Sequence, residues 1–133
     1  LVFCVALIVV SILAFIALKK EEHPIDSADV GLVGVKGMWA GAQFINNTGE
    51  SLVVGRDPKQ CNIIISQNAN SISRKHCVVK YDYQTKDYEV TDCSSNGTYV
   101  AETGQRLKYG VPTHLPCGTV IELGDLSNSF MIN

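Results

Sequence analysis

Residues 77–92 read CVVKYDYQTKDYEVTD, two runs of strict alternation joined by three polar residues. Successive side chains on a strand point to opposite faces, so Cys77, Val79 and Tyr81 share one face while Lys80 and Asp82 share the other. In the second run Tyr88 and Val90 turn toward a core, and Asp87, Glu89 and Thr91 turn toward solvent. Gln84, Thr85 and Lys86 have the length and polarity of a hairpin connection. A helix would need apolar residues at i, i+3, i+4 and i+7, and no segment after the N-terminal stretch keeps that stripe for three turns. SLVVG (51–55), VIEL (120–123) and SFMIN (129–133) read as further short strands. Turn clusters separate them: NNTGE, DPKQ, SSNG, ETGQ, PCGT and GDLS recur every eight to fifteen residues, except across the longer stretch from DPKQ to SSNG that holds the 77–92 runs. Short strands at that spacing predict an all-β sandwich or barrel. Trp39 and Phe44 are expected in its core, since large aromatics dominate small β cores.

The first eighteen of the 133 residues, LVFCVALIVVSILAFIAL, carry no charge and one polar side chain, Ser11. As a helix they would span about 27 Å, close to the hydrocarbon thickness of a bilayer. The following IALKKEE offers no small-x-small cleavage site, so residues 1–18 are read as a single transmembrane helix rather than a signal peptide. Lys19 and Lys20 follow at once, which by the positive-inside tendency places the rest of the chain in the cytoplasm, a single-pass membrane arrangement. The chain opens on Leu1 rather than Met, so we expect it to continue upstream or to have been trimmed there. Residues 19–29, KKEEHPIDSAD, read as a linker, and 30–133 as one domain of about a hundred residues with one modest core.

A formal charge of −2 gives no global attraction to nucleic acid, and no nucleic-acid partner is expected. Of five cysteines, Cys4 lies in the apolar segment and Cys61, Cys77, Cys93 and Cys117 are widely scattered without a CxxC pair. Free, buried thiols are expected in a reducing compartment, with no metal and no cofactor. Asn46-Asn47-Thr48 and Asn96-Gly97-Thr98 match the N-glycosylation pattern, which matters only for a domain facing outward.

Three stretches flank strands: VGRDP (54–58), SISRKH (71–76) and DCSSNGT (92–98). Loops at one end of a sandwich gather recognition residues, and these three offer the donors Arg56, Ser73, Arg74, Ser95 and Asn96. Arginine presents a planar fork that binds phosphate bidentately, and serine hydroxyls with a backbone amide near Gly97 complete a cradle for a dianion. Ser73 three residues before His76 also invites a hydrolase reading. Catalysis would need an orienting carboxylate and an oxyanion hole, and the chain has no GxSxG elbow and no Walker loop, so no enzyme is expected. Ser71 and Lys75 are read as loop surface.

GRDPKQCNIII, SISRKH, DCSSNGTYV and the terminal LPCGTVIELG resemble the forkhead-associated (FHA) domain in order and spacing over roughly residues 30–132. The resemblance implies a β-sandwich of about eleven strands whose end loops bind phosphothreonine peptides. It implies Arg56, Ser73 and Arg74 as phosphate contacts, Ser95 as a lining residue of the phosphate and threonine-methyl site, and Asn96 as the partner of the peptide main chain. Gly55, His76 and Gly97 match positions that shape the loops. Together these readings predict a membrane-anchored module that docks a phosphorylated cytoplasmic partner in a Ser/Thr kinase pathway. The alternative is a phosphate-independent FHA-like scaffold of a membrane assembly or secretion machinery. Members of that kind usually lose the arginine or the serine, and this chain has both.

Overall fold

A computed structural model of the chain describes residues 30–45 and 51–133. The transmembrane helix expected over 1–18, the linker over 19–29, the NNTGE turn and the Asn46 glycosylation pattern all lie outside the described residues. Among the described residues no helix is long and apolar enough to cross a membrane. They form ten strands, where the resemblance implies about eleven: β1 (Val30–Lys36), β2 (Gln43–Ile45), β3 (Leu52–Gly55), β4 (Ile63–Ile64), β5 (Cys77–Asp82), β6 (Asp87–Asp92), β7 (Thr98–Val100), β8 (Thr113–Leu115), β9 (Val120–Leu123) and β10 (Asn128–Ile132).

Two five-stranded sheets result, one ordered β2-β1-β10-β9-β7 and the other β4-β3-β5-β6-β8. All neighbours are antiparallel except β3 and β4, which run parallel over two residue pairs. The alternation read from 77–92 is the β5–β6 hairpin: Cys77 pairs with Asp92 and Asp82 with Asp87, and Cys77, Val79, Tyr88 and Val90 are buried. Leu32, Ile121, Leu123, Phe130 and Ile132 of the first sheet meet Val54, Ile63, Val79 and Val90 of the second in one continuous core. Each such side chain taken fully out of water contributes about 1.5–3 kcal/mol.

Trp39 and Phe44 pack against that core edge to face, with ring centroids 5.5 Å apart, and Phe44 meets Phe130 at 6.3 Å. The indole N–H of Trp39 donates to the Ile64 carbonyl (2.9 Å), so the β1–β2 loop of one sheet is tied to the edge of the other. Tyr88 buries its ring and satisfies its hydroxyl on the Asn133 carbonyl (2.7 Å), as an aromatic with a polar tip must in a core. All four described cysteines are free thiols. Cys77 alone among them is fully buried; Cys61 and Cys93 are half-buried and Cys117 is exposed, because it sits in the polar PCGT turn.

Register decides where the loops go. Val54, Cys77 and Asp92 lie in one cross-strand row of the second sheet. The chain leaves β3 just after that row, enters β5 just before it and leaves β6 just after it. Arg56, the 71–76 segment and the 93–97 loop therefore emerge at the same end of the sandwich.

Candidate functional site

The ladder continues one step beyond the row, with the His76 N–H donating to the Val54 carbonyl and the Cys93 N–H to the His76 carbonyl, both at 2.8 Å. Next to it the Arg56 and Asp57 amides donate to the carbonyls of Ser73 and Arg74, both at 3.1 Å. The 73–74 backbone thus runs directly against β3, and a Cβ at Gly55 would sit 2.2 Å from the Arg74 carbonyl oxygen. Only glycine fits there.

Arg56 is held by the loop it faces. Its Nε donates to the Ile72 carbonyl and its Nη1 to the Gln67 carbonyl (3.3 Å). A guanidinium has five N–H donors, so these two bonds fix its plane and leave three for an anion. The residue lines a shallow depression with Asp57, Pro58, Lys59, Gln67 and Arg74. Lys59 is a third cation that sequence reasoning missed. It lies three residues after Arg56 in DPKQ, a sequence whose residue types signal a turn and nothing more. The Asp57 carboxylate in the same depression accepts from the Gln60 side chain (2.7 Å) and the Lys59 amide (2.9 Å), which hold its pKa below the ordinary 3.8. It caps its own turn, and its single negative charge, felt by Lys59 and Arg74, still leaves the three cations in excess.

The other two loops are stitched together through Ser73 and His76. The His76 ring is fully buried. Its Nδ1 accepts the Ser73 N–H (3.1 Å), which puts the proton on Nε2, and Nε2 donates to the Gly97 carbonyl (2.8 Å). Ser73 Oγ accepts the Ser95 N–H (3.1 Å), leaving its own O–H to donate outward. Neither ring nitrogen of His76 is directed at Ser73 Oγ, so the pair is not a nucleophile with its base. Asn96 is exposed, with one amide hydrogen on the Ser71 carbonyl (3.1 Å) and its Oδ1 and second amide hydrogen remaining for a ligand. Ser71, read from sequence as loop surface, is instead the joint on which Asn96 rests. Lys75 is exposed, and Arg74 extends into solvent beside Arg56.

Gly97 adopts φ +100° and is buried. A Cβ there would lie 2.8 Å from Arg106 Nε and 2.9 Å from the Tyr99 hydroxyl. Beneath it lies a network that sequence reasoning passed over. Asp92 Oδ1 accepts from the Ser94 amide (3.0 Å), the Ser94 hydroxyl (2.6 Å) and the Thr98 hydroxyl (3.0 Å). Ser94 Oγ in turn accepts the Gly97 N–H (2.7 Å). Asp92 Oδ2 is buried without a hydrogen bond and faces Arg106 Nη2 at 4.0 Å. The D-x-S-x-x-x-T spacing within DCSSNGT is the signal that could have found this scaffold: an aspartate ending a strand, with serine and threonine donors two and six residues on.

The His76 arrangement fixes a pH dependence. Burial depresses its pKa below the ordinary 6.5, against the opposing effects of the Gly97 carbonyl and the Asp92 charge. The folded chain therefore refuses a proton that the unfolded chain accepts, and the stability contributed by residue 76 is complete above pH 6.5 and declines as the pH falls through the folded value. His114 acts in the opposite sense, because its exposed ring is bonded to Asp87 (3.0 Å) and its pKa is raised. In a His114→Gln background the melting temperature is expected to fall between pH 7 and pH 5. A flat profile would show that residue 76 titrates alike in both states. The carboxylates with lowered pKa (Asp57, Asp82, Asp87 and Asp125) titrate below that interval.

Three loops bring a fixed guanidinium, a hydroxyl and an asparagine amide to one end of a ten-stranded sandwich, and known proteins share the fold. The family model of the FHA domain matches residues 52–124. The chain belongs to the FHA family. The solved FHA domain of an Arabidopsis thaliana hypothetical protein is 30% identical, covers 78% of this chain and 83% of its own, and has a TM-score of 0.65. The FHA domain of the CT664 protein of Chlamydia trachomatis is 25% identical over 77% of this chain and 93% of its own, with a TM-score of 0.63. The MEK1 FHA domain, solved in complex with a HOP1 phosphothreonine peptide, is 30% identical over 79% of this chain and 97% of its own, with a TM-score of 0.57. No curated protein matches the chain. FHA domains are interaction modules rather than enzymes, and the engagement of both His76 nitrogens by main chain accords with that.

Proposed function

We propose that residues 30–133 form a phosphothreonine-peptide-binding module that docks a phosphorylated partner. One observation carries the reading: the Ile72 and Gln67 carbonyls pre-orient the Arg56 guanidinium toward a depression that also holds Arg74 and Lys59. A phosphate brings about −1.5 to −2 charges and three acceptor oxygens, and that chemistry matches a fixed fork with flanking cations. In this reading Arg56 and Arg74 pair with the phosphate, and Ser73 donates its hydroxyl to a phosphate oxygen. Ser95 lines the site, and Asn96 bonds the peptide main chain with its remaining amide groups. Gly55, His76 and Gly97 hold the loops. Residues 1–18 anchor the module to a membrane, with Lys19 and Lys20 on the cytoplasmic side, so that a Ser/Thr kinase controls what is recruited there.

The test is a library of phosphothreonine peptides offered to the full chain, with phosphoserine and unphosphorylated sets alongside. Retention of phosphothreonine peptides only is the expected result. Partner capture that survives phosphatase treatment would replace this reading with the phosphate-independent scaffold.

A further inference from the structure

A second cleft, of about 480 Å³, adjoins the loop end on the other sheet, between β7 and the β9–β10 turn. Its walls include Tyr99, Val100, Glu122, Asp125 and Leu126, and none of the described residues lining it is a lysine or arginine. Tyr99 and Glu122 are cross-strand partners, so the aromatic ring and the carboxylate stand side by side. Asp125 is exposed, and its pKa is held low by the Ser127 amide and hydroxyl and by the Ser71 hydroxyl, so it carries its charge at neutral pH. Leu126 is 42% exposed and sits at φ +70°, a conformation that disfavours leucine. The turn thus presents an apolar side chain where glycine or asparagine would fit the backbone better. Arg106, which pairs with Tyr99 in an isolated bridge, turns away from the cleft toward Asp92 and the Ser95 carbonyl.

The cleft is continuous with the site already described. Asn96 bonds Ser71 through its side chain, while its carbonyl accepts the Tyr99 hydroxyl (2.8 Å), and the Gly124 amide donates to the Gly97 carbonyl (3.0 Å). A ligand resting on Asn96 therefore has cations on one side and carboxylates on the other. We propose that the phosphopeptide carries, besides its phosphothreonine, a basic side chain that enters this cleft, with Glu122 and Asp125 pairing its charge and Tyr99 and Leu126 covering its aliphatic stem. Lysine and arginine suit such a wall because their stems bury on apolar surface and their cations are attracted by an aromatic face. This inference rests on the phosphopeptide reading above and names the peptide class within it.

The experiment titrates the full chain with phosphothreonine peptides that differ only in one residue, Lys, Arg or Glu, moved through the flanking positions. At one position a basic residue should bind about fivefold to tenfold tighter than Glu, the size expected of two partly solvated carboxylates acting on one cation. Glu122→Gln with Asp125→Asn should shrink that ratio to within about twofold while phosphate dependence is retained. Phosphate-dependent binding with no position favouring a cation would overturn the proposal, as would a preference unchanged in the double variant. Equal binding of phosphorylated and unphosphorylated peptides would defeat the underlying reading and this one with it.

Discussion

Arg56→Ala is expected to weaken binding of a phosphothreonine peptide by at least about a hundredfold. Each hydrogen bond to a charged group contributes about 1.5–3 kcal/mol, and two of them lost together amount to about 3–6 kcal/mol, where every 1.4 kcal/mol is tenfold. The variant also removes the donors of the Ile72 and Gln67 carbonyls, so a modest loss of melting temperature should accompany it. Arg56→Lys separates the two effects. It keeps the charge but loses the fork that bonds loop and ligand together, and it should recover only part of the affinity. An Arg56→Ala protein that binds phosphopeptide within about threefold of the parent would remove the guanidinium from the site, since a lost charge-assisted bond costs more than that.

His76→Ala should produce the largest loss of stability of any single change in the loop end. The substitution leaves the buried Gly97 carbonyl with the Gly124 amide as its one remaining donor and the part-buried Ser73 amide without its acceptor, and it opens a cavity under the loops. An unsatisfied buried group costs about 1–3 kcal/mol, so with the cavity the expected loss is about 3–5 kcal/mol. In a domain of about a hundred residues that lowers the melting temperature by on the order of 15 °C or more. Chemical denaturation would read the same number. Ligand binding should fall as well, because Ser73 and Gly97 lose their common support. A stable variant with unaltered binding would mean that His76 does not join the loops.

Alternation and turn spacing made most of the second sheet legible. The Cys77–Asp92 hairpin could be read residue by residue because its polar and apolar side chains alternate without interruption. β1 was harder: VGLVGVK has three residues of one apolar type and two glycines, so nothing in it marks a strand boundary or an inward face, and Leu32 proves to be its large core residue. β10 is buried at Asn128, Ser129, Phe130 and Ile132, on both faces, because it lies in the middle of its sheet and the β1–β2 loop comes over it, with the Met38 amide on Asn128 Oδ1 (3.3 Å). Period-two patterning cannot report burial of that kind. Within the loop end, Arg56, Ser73, Arg74, Ser95 and Asn96 stood out as donors, and the structure brings all of them to one place. What the sequence left hidden was the support: the tautomer of His76 and the role of Ser71 depend on backbone atoms three to twenty-five residues away, and the Asp92–Ser94–Thr98 network closes only once the 92–98 loop has folded its side chains together. Residue type alone does not disclose a partner that is a carbonyl or an amide.

The central claim is that the Arg56–Ser73–Asn96 end reads a phosphate. Titrating the isotope-labelled chain with one peptide before and after phosphorylation of its threonine tests this most directly. The phosphorylated form should bind at least about a hundredfold tighter, the gain expected from two or more charge-assisted hydrogen bonds, and its largest shifts should fall on the amides of Ser73, Arg74, Ser95 and Gly97. Equal affinities for the two forms, or shifts confined to another surface, would contradict the account.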